Sequence, residues 1–67
     1  MSPKTLGAVL KQIREAKGLS QLDLAKRAKV SQGYLSDLEA RQKKNPGIET
    51  LRKIAKALGV PVTELLG

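Results

Sequence analysis

No cysteine and no histidine occur in this 67-residue chain, and there is no phenylalanine or tryptophan either. Without Cys there can be no disulfide and no thiolate metal site. Without His as well, the usual zinc sites and Ser-His or Cys-His nucleophilic catalysis are excluded, and no cofactor or metal is expected. Tyr34 is the single aromatic residue, so the chain cannot build the row of stacked rings that holds single-stranded nucleic acid. Acidic residues are scarce: six Asp and Glu stand against thirteen Lys and Arg, for a formal net charge of +7. The few carboxylates are scattered and have no catalytic partner, which makes an enzyme the least expected class. No apolar run approaches the ~20 residues of a membrane-spanning helix, and the opening MSPKTLG has no signal-peptide core. A cytoplasmic protein is expected, with no membrane partner and no evident small-molecule ligand.

The length fits a single domain over residues 1–67. A chain this short buries only about 60% of its unfolded surface, so its helices must pack efficiently or find a partner. The excess of cations favours a polyanion as that partner. With ring stacking excluded, double-stranded DNA read by a helix is the polyanion that fits.

The apolar spacing predicts an all-α fold of five helices. Ser2 and Pro3 suit the N-cap and first position of a helix whose stripe is Leu6, Val9, Leu10, Ile13 and Ala16, ended by Gly18 in the left-handed conformation. Ser20 with Asp23 forms an acidic variant of the capping box and starts a second helix at Gln21, running to about Ala28, with Leu22 off the core face. Lys29 falls in the turn, where a left-handed backbone costs Lys roughly 1 kcal/mol more than Gly. Ser31 caps a third helix from Gln32 to about Ala40. The segment RQKKNPG, residues 41–47, is a basic loop with an Asn-Pro-Gly turn signal. Ile48, Leu51, Ile54, Ala55 and Leu58 mark a fourth helix ended by Gly59, and Val60-Pro61 leads into a short fifth from Val62 to Leu66. Residues 21–40 have the spacing of a helix-turn-helix unit. An αα-corner in any small bundle would show the same spacing.

If Leu35 and Leu38 of the third helix point inward, Gly33, Ser36, Asp37 and Ala40 project roughly opposite, with Gln32 and Tyr34 on the flanks. Most of this outward set is small, so the backbone can come close to base edges. Gln32 can bond adenine through its two-pronged amide, and Asp37 can accept from a cytosine amino group. A solvated polar face is the alternative for each of them. Tyr34 can donate its hydroxyl to a phosphate or merely cover the edge of the core. Gln21 stands at the positive end of the second helix, where phosphate is favoured. Arg41, Lys43 and Lys44 follow the third helix directly and would run beside a DNA backbone.

The blocks L-x-x-I-R-E-x-K-G-L-S-Q-x-x-L-A, V-S-Q-G-Y-L-S-D-L-E and N-P-x-I-E-T-L-x-K-I-A-x-A-L-G-V resemble the Cro/phage-repressor (XRE-type) helix-turn-helix domain, from about Leu6 to Leu66. The resemblance implies a compact, lambda-repressor-like five-helix bundle whose third helix enters the major groove, commonly as a dimer on a palindromic operator. It places base contacts on Gln32, Gly33 and Asp37, supplemented by Ser36 and Tyr34, and phosphate contacts on Gln21 and the loop after the third helix. It also implies a structural ion pair between Arg14 and Glu39. The chain departs from the family pattern at Lys29, where Gly is usual, at Gly33, where a side-chain reader is common, and at Pro61, where a capping Ser is frequent.

The expected function is therefore a sequence-specific DNA-binding transcriptional regulator, acting as a repressor and as a homodimer. The dimer contact is expected in the C-terminal region, at Val60, Val62, Leu65 and Leu66. The competing expectation is a protein-interaction module on the same fold, antitoxin-like or coactivator-like, motivated by the sparse face of the third helix and by those C-terminal apolar residues.

Overall fold

A computed structural model describes residues 5–40 and 46–66. Five α-helices follow one another: α1 Leu6–Ala16, α2 Gln21–Ala28, α3 Gln32–Ala40, α4 Ile48–Leu58 and α5 Thr63–Leu66. No strand occurs among the described residues. The helix-turn-helix unit is α2 and α3. α1 packs on α3 and α5, while α2 packs on α3 and α4, and α5 closes against α4. Leu10, Leu24, Leu35 and Ile54 are the fully buried large side chains at the centre. Around them lie Ala25, Ala28, Leu38, Leu51, Ala55, Leu58 and Leu65.

Local chemistry sets the helix ends. Ser20 and Asp23 make a reciprocal capping box at the start of α2: the Asp23 N–H donates to Ser20 Oγ at 3.0 Å and the Ser20 N–H to Asp23 Oδ2 at 3.3 Å. The Ser31 hydroxyl accepts from the Tyr34 N–H at 3.0 Å and so caps α3. Between α2 and α3, Lys29 adopts φ 60° and ψ 43°, as the turn position requires. The Val30 N–H then reaches back to the Ala25 carbonyl at 3.0 Å, which closes the helix end in the manner of a left-handed cap.

Five expectations need correction. The cap of α1 is Thr5, whose backbone is extended and whose side-chain hydroxyl accepts from the Ala8 N–H at 3.1 Å. The opening placed at Ser2 and Pro3 therefore gives way to Thr5, and those two residues lie outside the described residues. Within the α1 stripe, Leu10 is buried and Leu6 and Ile13 pack half-buried against the core, but Ala16 is exposed. Gly7 and Arg14 are buried in addition, because this face meets the end of α3 as well as the apolar core. Ile48 is exposed rather than part of the α4 stripe, since it stands in the first turn, ahead of the contact with α2. Finally, Leu65 is buried at 3% exposure in the chain's own core, because α5 folds back on α1 and α4. It is not available as a dimer contact. Val60 and Val62 are half-buried against the same core, α5 begins at Thr63 rather than Val62, and of the four residues only Leu66 is exposed.

Candidate nucleic-acid interface

α3 is laid down with its apolar pair inward: Leu35 and Leu38 are 0% and 2% exposed. The 3.6-residue period then turns Gln32, Gly33, Asp37 and Ala40 to solvent, with Ser36 half-buried beside them. A Cβ built on Gly33 would meet nothing within 4 Å. The glycine is thus not demanded by packing, and it leaves an open stretch of helix backbone near the start of the face. Tyr34 is half-buried and packs against the core cluster, so its ring covers the core edge.

The C-terminal end of α3 is fixed by a charged clasp. Arg14 of α1 forks onto the Glu39 carboxylate, with Nε donating to Oε2 at 2.7 Å and the terminal Nη2 to Oε1 at 3.0 Å. The other terminal nitrogen donates to the Leu19 carbonyl at 2.7 Å, in the α1–α2 connection. Gln21, the first residue of α2, donates its Nε2 to Glu39 Oε1 at 3.0 Å. The two side chains of the ion pair are 9% and 4% exposed, so the pair is bidentate and largely withdrawn from water. Burial pushes the Glu39 carboxyl up, but hydrogen bonds from Arg14 and Gln21 outweigh it and hold the group below its ordinary value. Donating to the Glu39 carboxylate in turn raises Arg14. The Arg14–Glu39 pair that the family resemblance implied is therefore present. Its reach to Gln21 and to Leu19 was not legible in the sequence.

Beside the clasp lies an open hollow of about 250 Å³ lined by Lys11, Arg14, Gln21, Ser36, Glu39 and Ala40. It brings together Gln21 and Ser36, which the sequence had singled out separately, and adds Lys11, which it had not. Lys11 reads as ordinary surface charge on α1, and only the packing of α1 on α3 puts it next to the outward face. Gln21 also differs from expectation in one respect: its amide nitrogen is held by Glu39, so its side-chain oxygen and the first backbone N–H groups of α2 are what it can offer an anion. Arg41, Lys43 and Lys44 lie outside the described residues.

Gly7 was missed altogether as a site-shaping residue. A Cβ there would overlap the Leu38 carbonyl oxygen and come within 2.8 Å of that of Glu39. Its absence lets α1 and the end of α3 touch backbone to backbone. An isolated Gly inside an apolar-periodic helix was the available signal.

A family model described as helix-turn-helix matches residues 10–65. The chain is 41% identical over 63 residues to an immunity repressor protein of Bacillus phage phi105, covering 94% of this chain and 43% of that protein. It is 41% identical over 61 residues to the HTH-type transcriptional regulator SinR of Bacillus subtilis, covering 91% and 55% respectively. A crystal structure of the biofilm master regulator SinR in complex with DNA superposes with a TM-score of 0.88 at 40% identity, covering 94% of this chain and 100% of that one. The restriction-modification controller protein C.AhdI from Aeromonas hydrophila superposes with a TM-score of 0.84 at 35% identity, covering 90% and 89%. The chain spans about half the length of the curated relatives it matches.

Proposed function

The chain belongs to the helix-turn-helix family, and from that premise we propose that it is a sequence-specific double-stranded DNA-binding transcriptional regulator, acting as a repressor. The observation that carries this reading is the outward face of α3: small and polar, open at Gly33, and set on a helix whose far end is clamped by Arg14, Gln21 and Glu39. A rigid helix with a low-relief polar face fits the major groove, where side chains of the recognition helix meet base edges. Gln32 bonds an adenine and Asp37 a cytosine amino group, while Ser36 supplements them and the Gly33 backbone lies close to the bases. Gln21, Lys11 and the basic loop residues Arg41, Lys43 and Lys44 meet phosphates, with the Tyr34 hydroxyl at the rim. The family and the named relatives point to DNA-binding regulators rather than to enzymes. No helix among the described residues is long and apolar enough to cross a membrane.

A homodimer on a (pseudo)palindromic operator follows from the family resemblance. Its apolar contact in the C-terminal region centres on Leu66, at 57% exposure, flanked by Val60 and Val62. The test is selection from a random duplex library at about 150 mM salt, where the nonspecific electrostatic component is weakened. Two inverted half-sites with centres about 34–36 Å apart support the dimeric reading. A single unpaired half-site overturns the dimer, and the absence of any enriched motif overturns sequence-specific binding. A dimer making about 6–10 phosphate contacts loses roughly 10³–10⁵ in affinity between 50 and 200 mM salt.

A further inference from the structure

On the other flank of α2, turned away from α3, an open cleft of about 480 Å³ runs between the end of α2 and the second half of α4. It is lined by Arg27, Ala28, Lys29, Lys53, Lys56 and Ala57. The floor is two alanines and the walls are four cations, two from each side. None of the chain's six carboxylates lines it, and no residue of α3 does.

The ordinary account of such cations is that they complement helix ends. α2 and α4 both finish here, with Lys26 and Arg27 in the last turn of one and Lys56 in that of the other. Each helix end carries about −0.5 of an elementary charge. The two together offset about one of the four positive charges. The carboxylates one turn back along each helix reduce the remainder without cancelling it, since Asp23 attracts Arg27 through space but forms no ion pair with it within 4 Å. Asp23, four residues before Arg27, accepts from the Ser20 N–H in the capping box, and Glu49, four residues before Lys53, stands in the first turn of α4. Among the described residues the ion pair within 4 Å is Arg14–Glu39, on the opposite side of α2. A net excess of positive charge thus remains across a small-residue floor, and self-repulsion of this kind is relieved by an anionic occupant.

We propose that this cleft docks an acidic segment of a partner protein, with alternate carboxylates reaching Arg27 and Lys29 on one wall and Lys53 and Lys56 on the other, and its backbone over Ala28 and Ala57. The cleft is open to solvent rather than enclosed, which suits a chain segment better than a small buried anion. Because α2 stands between α3 and α4, a duplex on the outer face of α3 leaves the cleft free. The docking therefore does not depend on the DNA reading being right.

The test uses a fluorescein-labelled peptide of twelve glutamates as probe, at about 50 mM salt so that charge contacts are not screened out. Amide shift mapping on the unaltered chain comes first: shifts centred on Arg27, Lys29, Lys53 and Lys56 support the cleft, and shifts spread over all basic surfaces overturn it. Lys53→Glu with Lys56→Glu is then compared with Lys17→Glu with Arg52→Glu, which changes net charge equally outside the cleft. The cleft pair should weaken peptide binding about tenfold or more beyond the control pair, while the two pairs weaken binding of a random-sequence duplex equally. Equal loss of peptide affinity in both pairs overturns the site. A duplex affinity that falls further in the cleft pair assigns these cations to DNA and overturns a protein partner.

Discussion

At its N-terminal end α3 rests on a local cap, the Ser31 hydroxyl under the Tyr34 N–H, and Gln32 and Gly33 stand exposed. At its C-terminal end, Leu38 is buried and Glu39 is held by residues of two other helices, while α1 meets the α3 backbone through Gly7. One end is free to meet a ligand and the other fixes the angle at which the helix is presented. The two tasks separate along nine residues because the free end needs donors and acceptors left open to solvent, whereas the fixed end needs them all satisfied. No buried side-chain polar atom lacks a partner among the described residues.

The largest effect should come from breaking the fixed end. Arg14→Ala leaves the Glu39 carboxylate without its main partner at 4% exposure, and a loss of about 3–5 kcal/mol in urea-melt stability is expected. A loss below about 1 kcal/mol would mean that the clasp is solvated in solution. The same contact predicts an acid slope. Glu39 is held below its ordinary value, so the unfolded state binds its proton more readily and stability rises with pH. That contribution is whole at neutral pH, begins to fall below about 4.3, the unfolded glutamate value, and is gone once the pH passes below the native value. Glu39→Gln should flatten the profile between neutral and acid pH without levelling it, because the backbone hydrogen bond from Ser20 also holds Asp23 low. Superimposable profiles would sink the assignment.

Gly7→Ala should come next, at about 1–3 kcal/mol destabilising by thermal melt, because the added methyl meets backbone carbonyls that cannot rotate away. The helix preference for Ala, about 1 kcal/mol, works against that loss, so a stabilised variant would show that α1 slides easily over α3. At the free end, Gln32→Ala should leave stability unchanged and cost about 1–3 kcal/mol of discrimination at one base pair of a selected duplex. A uniform loss over all sequences would make Gln32 a phosphate contact instead. The smallest effect sharpens the turn between the two helices: Lys29→Gly should gain about 1 kcal/mol by relieving φ 60° at a residue with a side chain.

Much of the frame was legible along the chain because its causes are local. Ser20 with Asp23, Ser31, Gly18 and Gly59 act on backbone groups within five residues, and the 3.6-residue spacing of Leu24, Ala25 and Ala28 or of Leu35 and Leu38 is enough to say which face turns inward. The start of α1 was misplaced because Ser2 and Thr5 are both good caps, and which one opens the helix depends on where α1 first finds α3 to pack on. Leu65 looked like a free apolar contact for the same reason: apolar character is a property of the residue, but burial depends on whether α5 returns to the core.

By itself, the sequence determined the helix inventory, the turn at Lys29, the polar outer face of α3 and the excess of positive charge. Each of these follows from composition or from spacing within one or two turns. Tertiary structure alone decided which charges are neighbours. Twenty-five residues separate Arg14 from Glu39, eighteen separate Gln21 from Glu39, and more than twenty lie between the two walls of the basic cleft. The contact across Gly7 has the same character: it exists only once two helices cross, since a bond or a clash between distant residues depends on the crossing geometry and leaves no periodic trace in either segment.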